Sequence, residues 1–231
     1  MFHLQPSIDP AIAAIAPDFR ALSIVVEAST ITHPEVAERY LKNASRAVSE
    51  GEPFWAEPHL EAWADVFKKF GAKPKRTPCS AEALRKRVSR DGSMASIDPV
   101  VDLYNAISLQ YAVPVGGENI AAYAGQPCLV IADGTELFDT MKEGKPDTES
   151  PEKGEVIWRD DEGVTCRRWN WRQGVRTRLS SQDKHMWFIL ESLPEMPLDK
   201  LIEAGESLIE GLNEMMPGAV ITKSLVGFGI E

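Results

Sequence analysis

The segment EVIWRDDEGVTCRRWNWRQ, residues 155–173, constrains the fold more than any other part of this sequence. Two runs rich in β-branched and aromatic residues flank an Asp-Asp-Glu-Gly turn at 160–163, which is typical of a β-hairpin. If the second arm alternates regularly, one face carries Arg168, Asn170 and Arg172. The opposite face then carries Arg167, Trp169, Trp171 and Gln173. The chain is therefore expected to contain an antiparallel sheet with one unusually basic and aromatic strand.

Patterns elsewhere predict further strands and five helices. Short apolar runs predict strands within 19–30, 128–134, 185–193 and 219–226. Proline and glycine punctuation, capping residues and apolar spacing predict helices within 33–51, 58–71, 80–92, 98–114 and 198–216. Pro114 is expected to end the fourth helix, Gly116 and Gly117 to form a turn, and 142–154 to be an exposed loop.

These elements predict an α+β fold over a single domain, 1–231. Residues 1–92 are expected to be mainly helical, and residues 93–231 to form a strand-rich core with a C-terminal helix and strand. Three scattered Cys and four scattered His predict neither a disulfide framework nor a metal site, and no cofactor is expected. Because the start of the chain lacks a signal-peptide pattern and no long apolar run follows, a soluble cytoplasmic protein without a membrane partner is expected.

Charge is distributed unevenly. The net charge of −10 argues against a protein coated for nucleic acid, yet seven basic residues face one acid between Lys73 and Arg90. Five further arginines and no acid lie between Val164 and Arg178. Such arginines offer forked donors to phosphate or carboxylate, and tryptophan can stack on a base. Alternatively, the tryptophans belong to the core and the arginines pair with carboxylates such as Asp160; the residues alone leave both readings open.

Three segments carry a resemblance to a known family: DPVVDLYNAISLQYAVPVGG, GEVIWRDDEGVTCRRWNWRQ and SSQDKHMWFILESLP. Together they resemble the stand-alone relatives of the B-three/B-four domain of the phenylalanyl-tRNA synthetase beta chain, over at least Ile97 to Pro194. The resemblance implies an α+β fold with a central β-sandwich-like core flanked by helices. It also implies a relation to the editing site, where tyrosine wrongly attached to the phenylalanine tRNA is hydrolysed. Nothing in the chain resembles the aminoacylation domain, so a ligase is not expected.

Only some of the site residues implied by the resemblance are matched in this chain. Asn105 and Pro114 match the family pattern, whereas Gly116 stands where a pocket His is expected and Gln173 where a Glu is expected. Arg167, Arg168, Trp169 and Trp171 replace small glycines. Specificity for tyrosine is therefore not carried over, and this strand is expected to set a different ligand specificity.

The resulting hypothesis is a trans-acting editing protein of translation fidelity. It would bind the aminoacylated 3′ end of a tRNA and act as an aminoacyl-tRNA deacylase on a mischarged ester. The predicted substrate-binding residues are Asn105, Gly116, Gly117, Glu118, Arg167, Arg168, Trp169, Asn170, Trp171, Arg172 and Gln173. Glu118 is the candidate water-orienting base, and Asn170 with Arg168 and Arg172 would stabilise the oxyanion. The alternative is a non-catalytic module that binds RNA or a small amino-acid-like ligand.

Overall fold

A four-stranded antiparallel sheet lies at the centre of the structure, a computed structural model that describes residues 4–230. Strands and helices are numbered along the chain. The strands of this sheet, in order across it, are β11 (Val220–Gly227), β2 (Arg20–Glu27), β10 (His185–Ser192) and β3 (Val115–Asn119). The predicted strands within 19–30, 185–193 and 219–226 are thereby confirmed.

A second sheet of five strands faces the first. Its order is β1 (Ser7–Ile8), β4 (Cys128–Ile131), β7 (Val156–Arg159), β8 (Val164–Arg167) and β9 (Arg172–Gln173). β1 runs parallel to β4 and every other pair is antiparallel, so the predicted hairpin around 160–163 is present as β7 and β8. A separate ribbon consists of β5 (Phe138–Lys142) and β6 (Lys145–Glu149).

Five α-helices surround the central sheet. They are α1 (Glu35–Ser49), α2 (Ala56–Lys69), α3 (Ser80–Asp91), α4 (Pro99–Tyr111) and α5 (Leu198–Met215), with short 3₁₀ segments at Pro10–Ala14 and Ile120–Ala122. All five predicted helices are confirmed, and the fold is α+β with its helices concentrated toward the N-terminus. No helix within residues 4–230 is both long enough and apolar enough to cross a bilayer.

The two faces of β10 show how the layers pack. Met186, Phe188 and Leu190 lie against apolar side chains of α4 and α5, while Trp187 and Ile189 lie against the five-stranded sheet. This period-2 alternation buries both faces of the strand. The central sheet is therefore covered by helices on one side and by the second sheet on the other, as a sandwich-like core requires.

The fourth helix ends earlier than the position of its proline suggested. Asp98 caps its start by accepting hydrogen bonds from the Val100 and Val101 amides. At its other end Ala112 adopts a left-handed conformation with φ of 50°, so the helix ends at Tyr111. Pro114 follows the end and is not its cause.

Two predicted loops are strands instead. Gly116 and Gly117 lie within β3 and have no positive φ, so the expected turn there is wrong. A Cβ on Gly117 would lie 2.7 Å from Tyr104 Cε1, so close packing accounts for the missing side chain. The segment 142–154 is not a loop throughout, because β6 pairs with β5 across it.

The predicted boundary at residue 92, between a helical part and a strand-rich part, does not match the sheets. β2 comes from the predicted helical part, 1–92, and lies between β10 and β11, which come from the later part. The single-domain organisation over 1–231 stays a prediction.

Candidate functional site

The chain reverses direction directly after β8. Arg168 and Trp169 both adopt left-handed backbone conformations, with φ of 45° and 63°, which non-glycine residues rarely do. β9 then returns beside β8, with Cys166 opposite Gln173 and Arg167 opposite Arg172. The predicted alternation of faces along 167–173 is therefore wrong, because it assumed a continuous extended strand.

This reversal surrounds a cavity of about 230 Å³ between the two sheets and the start of α3. Eight of the eleven predicted binding residues line it: Asn105, Gly116, Glu118, Trp169, Asn170, Trp171, Arg172 and Gln173. The other three do not. Gly117 faces Tyr104 on the helical side, Arg168 lies on the outer side of the turn, and Arg167 is buried and bonded to Glu155.

Glu118 is a buried carboxyl group at one end of the cavity, with 3% of its surface exposed. Its Oε1 accepts a hydrogen bond of 3.1 Å from Gln173 Nε2, whereas Oε2 has no hydrogen-bond partner among the described residues. Burial raises the pKa of Glu118 to about 8, and the nearby Thr177 side chain and the hydrogen bond from Gln173 oppose that rise. The group therefore changes charge near neutral pH.

Glu191 is a second buried carboxyl group in the same cavity. Its Oε1 accepts hydrogen bonds from Trp158 Nε1 at 2.9 Å and from Trp169 Nε1 at 3.0 Å. Burial raises its pKa to about 8, against the effect of the Trp158 indole, the Asn170 side chain and the Trp169 indole. The sequence reasoning missed this residue, although a glutamate on the inward face of HMWFILESL, in phase with Trp187, was a signal that could have identified it.

The two carboxyl groups lie at opposite ends of the cavity. Glu118 is opposite Trp187 in the pairing of β3 with β10, and Glu191 follows Trp187 by four residues. At the rise of an extended strand this separates their backbones by about 13 Å. Trp187 and Ile189 also line the cavity between these positions. A ligand would therefore lie along β10 with an acid near each end.

Asn170 contributes an amide side chain that is still available for binding. Only 7% of its surface is exposed; neither Nδ2 nor Oδ1 makes a hydrogen bond of good geometry within residues 4–230, and the side chain lies next to Glu191. Its backbone oxygen accepts a hydrogen bond of 3.1 Å from the Ser80 amide, which ties the turn to the start of α3. Because buried polar groups are nearly always paired, the amide indicates a binding position.

A family model described as the B3/4 domain matches residues 62–200 of this chain, which is more than half of its length. The chain belongs to the B3/4 domain family. The matched region begins in α2 and ends in α5, so it contains the whole cavity-forming turn and β10. The resemblance to this family is confirmed.

Comparison with solved structures finds an N-terminal fragment of the phenylalanyl-tRNA synthetase beta-subunit from Pyrococcus horikoshii. It is 13% identical, with a TM-score of 0.49, and the match covers 97% of this chain. The B3/4 protein spans 55% of the length of that fragment. A comparison with curated proteins finds no significant match.

Two positions at which the B3/4 chain departs from the synthetase pattern are neighbours in the cavity. A Cβ on Gly116 would lie 3.5 Å from Gln173 Nε2. Gln173 replaces an expected carboxylate, and its Nε2 donates to Glu118 Oε1 and to the Gly117 carbonyl. A carboxyl group is thus still present at this end of the B3/4 cavity, supplied by Glu118.

The arginines divide between ion pairs and the cavity. Arg167 forms two hydrogen bonds with Glu155, at 2.9 and 3.0 Å, and Arg176 pairs with both oxygens of Asp160 at 2.8 Å. For Arg167 and Arg176, the alternative that the arginines pair with carboxylates is therefore correct. Arg172 lies at the cavity and donates to Thr140 Oγ1 at 2.6 Å.

Cys166 and His59 are unsuited to nucleophilic or base chemistry. Cys166 lines the cavity, but burial raises the pKa of its thiol far above the ordinary value. His59 is buried and bonds the Ala112 carbonyl and the Leu193 amide, and burial lowers its pKa to about 4. His3 lies outside the described residues. Within residues 4–230 no three His, Cys, Asp or Glu side chains converge as metal ligands.

Proposed function

We propose that this B3/4 protein binds the aminoacylated 3′ end of a tRNA and hydrolyses the aminoacyl ester in trans. The observation that carries the proposal is the presence of two unsatisfied buried groups, Glu118 Oε2 and the Asn170 amide, in one aromatic cavity. Buried polar groups without partners are costly unless a ligand or water completes them. Their presence in one cavity supports a binding site that can also orient water.

The size of the cavity supports an amino-acid-sized occupant. Its volume of about 230 Å³ lies below the ~300–1,000 Å³ of pockets that hold drug-sized ligands. An aminoacyl group would fit inside, and the nucleotides of the tRNA would stay outside. The tryptophans around it would cover the apolar part of an acyl side chain.

Its charge supports an ester more than a free amino acid. Among the described lining residues the charged side chains are Glu118, Glu191 and one cation, Arg172, whose Nη2 is already bonded to Thr140. A free amino acid brings a carboxylate, which Glu118 and Glu191 would repel when either is ionised. An aminoacyl ester keeps its α-ammonium group and lacks the carboxylate, so it suits an acidic aromatic cavity.

The charged residues that line the cavity also favour an acyl side chain that carries positive charge or hydrogen-bond donors. Two carboxyl groups whose backbones are about 13 Å apart can accept from the α-ammonium group at one end and from a cationic side chain at the other. An acidic side chain would face Glu118 or Glu191 without a free cation. We therefore expect esters of arginine-like or lysine-like amino acids to be bound and esters of acidic ones to be rejected.

Hydrolysis would use Glu118 as general base. Ionised Glu118 would accept a proton from water through Oε2 while the water oxygen attacks the ester carbonyl carbon. Asn170 Nδ2 would donate to the developing oxyanion. The ester bond then breaks, the proton passes to the departing ribose oxygen, and the products are a free amino acid and an uncharged tRNA. A pKa of about 8 lets Glu118 supply this base near neutral pH.

A deacylation panel tests the proposal. tRNAs charged with cationic, neutral and acidic amino acids are incubated with the protein, and ester loss is compared with the spontaneous rate. We expect acceleration confined to cationic or donor-rich acyl groups. The proposal fails if no ester is lost faster than it is spontaneously. Acceleration of acidic esters alone would contradict the proposed acyl class.

A further inference from the structure

A second groove adjoins the cavity on the outer side of the turn after β8. It has a volume of about 300 Å³, and its lining includes Lys73, Arg76 and Arg168. The Arg168 guanidinium carbon lies 4.3 Å from the centroid of the Trp171 ring, and Trp171 also lines the cavity. Trp171 thus lines the cavity and contacts Arg168, which lines the groove.

Some guanidinium N–H groups of Arg168 have no hydrogen-bond partner among the described residues of this groove. Its nearest acid is Glu155, at 3.9 Å, and that carboxylate already accepts two hydrogen bonds from Arg167 and one from the Arg168 amide. Stacking on Trp171 occupies the face of the guanidinium and leaves the N–H groups along its edge free. Such an edge fits the oxygens of a phosphate.

Lys73 and Arg76 add two exposed cations. Neither has an ion pair among the described residues, and Glu152 is the one exposed carboxylate among the described lining residues. Most basic side chains of the neighbouring helix, α3, already have partners. Lys86 pairs with Glu82, Arg90 pairs with Asp91, and Arg85 donates to two backbone carbonyls. Apart from the exposed Arg87, the cations of this region without an ion pair among the described residues lie in the link before α3, where Lys73 and Arg76 line the groove.

We propose that this groove binds phosphate groups of the RNA strand whose aminoacyl end enters the cavity. The proposal rests on the proposed function and adds the site that holds the polynucleotide. A strand bound in this groove would pass Trp171 to reach the cavity. Because binding to phosphates releases counterions, the contribution of the groove must depend on salt.

The test compares two double variants with the same change of charge. Lys73→Gln with Arg76→Gln removes two groove cations, and Lys142→Gln with Lys145→Gln removes two exposed lysines from the β5–β6 ribbon. Binding of uncharged tRNA is titrated at several salt concentrations. Hydrolysis of a small cationic aminoacyl ester without RNA is measured in parallel.

We expect the groove variant to bind tRNA at least about tenfold more weakly, with a salt slope smaller by about 0.7–0.9 for each lost contact. The ribbon variant should match the wild type, and neither should change hydrolysis of the small ester. An Arg168→Lys variant should also weaken tRNA binding, because it keeps the charge and loses the fork.

Other outcomes separate the two proposals. If wild-type protein hydrolyses no ester while the groove variant alone loses salt-dependent tRNA binding, the hydrolytic function fails and the groove proposal stands. If the groove variant binds tRNA as the wild type does, or if the wild type binds none, the groove proposal is overturned. Displacement of tRNA by millimolar inorganic phosphate at constant ionic strength would identify a free-anion site and would also overturn it.

Discussion

Trp169 Nε1 donates a hydrogen bond of 3.0 Å to Glu191 Oε1, which joins the turn after β8 to the C-terminal end of β10. Trp169 is fully buried and packs against Phe19 and Trp63, with ring centroids 5.0 and 5.3 Å away. One side chain therefore anchors the turn in the core and satisfies an acid of the cavity. The conformation of the turn and the chemistry of the site depend on each other.

Removing this donor should destabilise the fold. A Trp169→Phe variant would leave Glu191 Oε1 with the Trp158 donor alone, so we expect the free energy of unfolding to fall by about 1–3 kcal/mol. Chemical denaturation measures the change. Trp171→Phe is the matched control, because its indole is half-buried and has no side-chain hydrogen bond among the described residues. Equal losses in both variants would contradict this role of the Trp169 donor.

Glu118→Gln should abolish most of the proposed hydrolysis. The variant keeps the size of the side chain and cannot accept a proton from water, so we expect the rate constant to fall by about 10²–10⁴-fold. Single-turnover deacylation of a cationic aminoacyl-tRNA measures it. Glu57→Gln makes the same change at an exposed position of α2 and should leave the rate intact. A rate within threefold of the wild type would exclude Glu118 as the base.

Stability should decrease as pH rises from about 5 to 8. The pKa values of Glu118 and Glu191 are near 8 in the folded protein and near 4.5 when unfolded, so the folded state binds more protons between these values. The stabilisation is full below the unfolded pKa and is lost as pH rises through the folded pKa. Each group contributes a slope of up to about 1.4 kcal/mol per pH unit.

The control for this dependence is the double variant Glu118→Gln with Glu191→Gln. Its unfolding free energy, measured by denaturation at pH 5, 6.5 and 8, should change less with pH than that of the wild type. A wild type that gains stability over the same range would contradict buried neutral carboxyl groups.

The two adjacent glycines of β3 should respond differently to alanine. A Cβ at Gly117 would lie 2.7 Å from the Tyr104 ring, so Gly117→Ala should cost about 1–3 kcal/mol of stability. A Cβ at Gly116 would meet Ile189 Cγ2 at 3.3 Å on the cavity side. Gly116→Ala should therefore weaken ligand binding more than stability. Denaturation and ligand titration of both variants test the contrast, and a reversed order would contradict the assignment of faces.

Local signals in the sequence determined most of the secondary structure. Asp98 with Pro99 marks the start of α4, and the turn at 160–163 marks the hairpin of β7 and β8, because capping and turn chemistry act over a few residues. Guided by the family resemblance, eight of the eleven predicted binding residues fall at the cavity, since a resemblance transfers positions that already share a site.

Only the tertiary structure decided the backbone path of residues 167–173 and the direction of their side chains. The left-handed conformations of Arg168 and Trp169 depend on the burial of Trp169 among residues distant in sequence, which no local pattern records. That packing directs Asn170 into the cavity and Arg168 into the groove, and it pairs Trp169 with Glu191. The raised pKa values of Glu118 and Glu191 have the same origin, because burial from water is a property of the assembled layers.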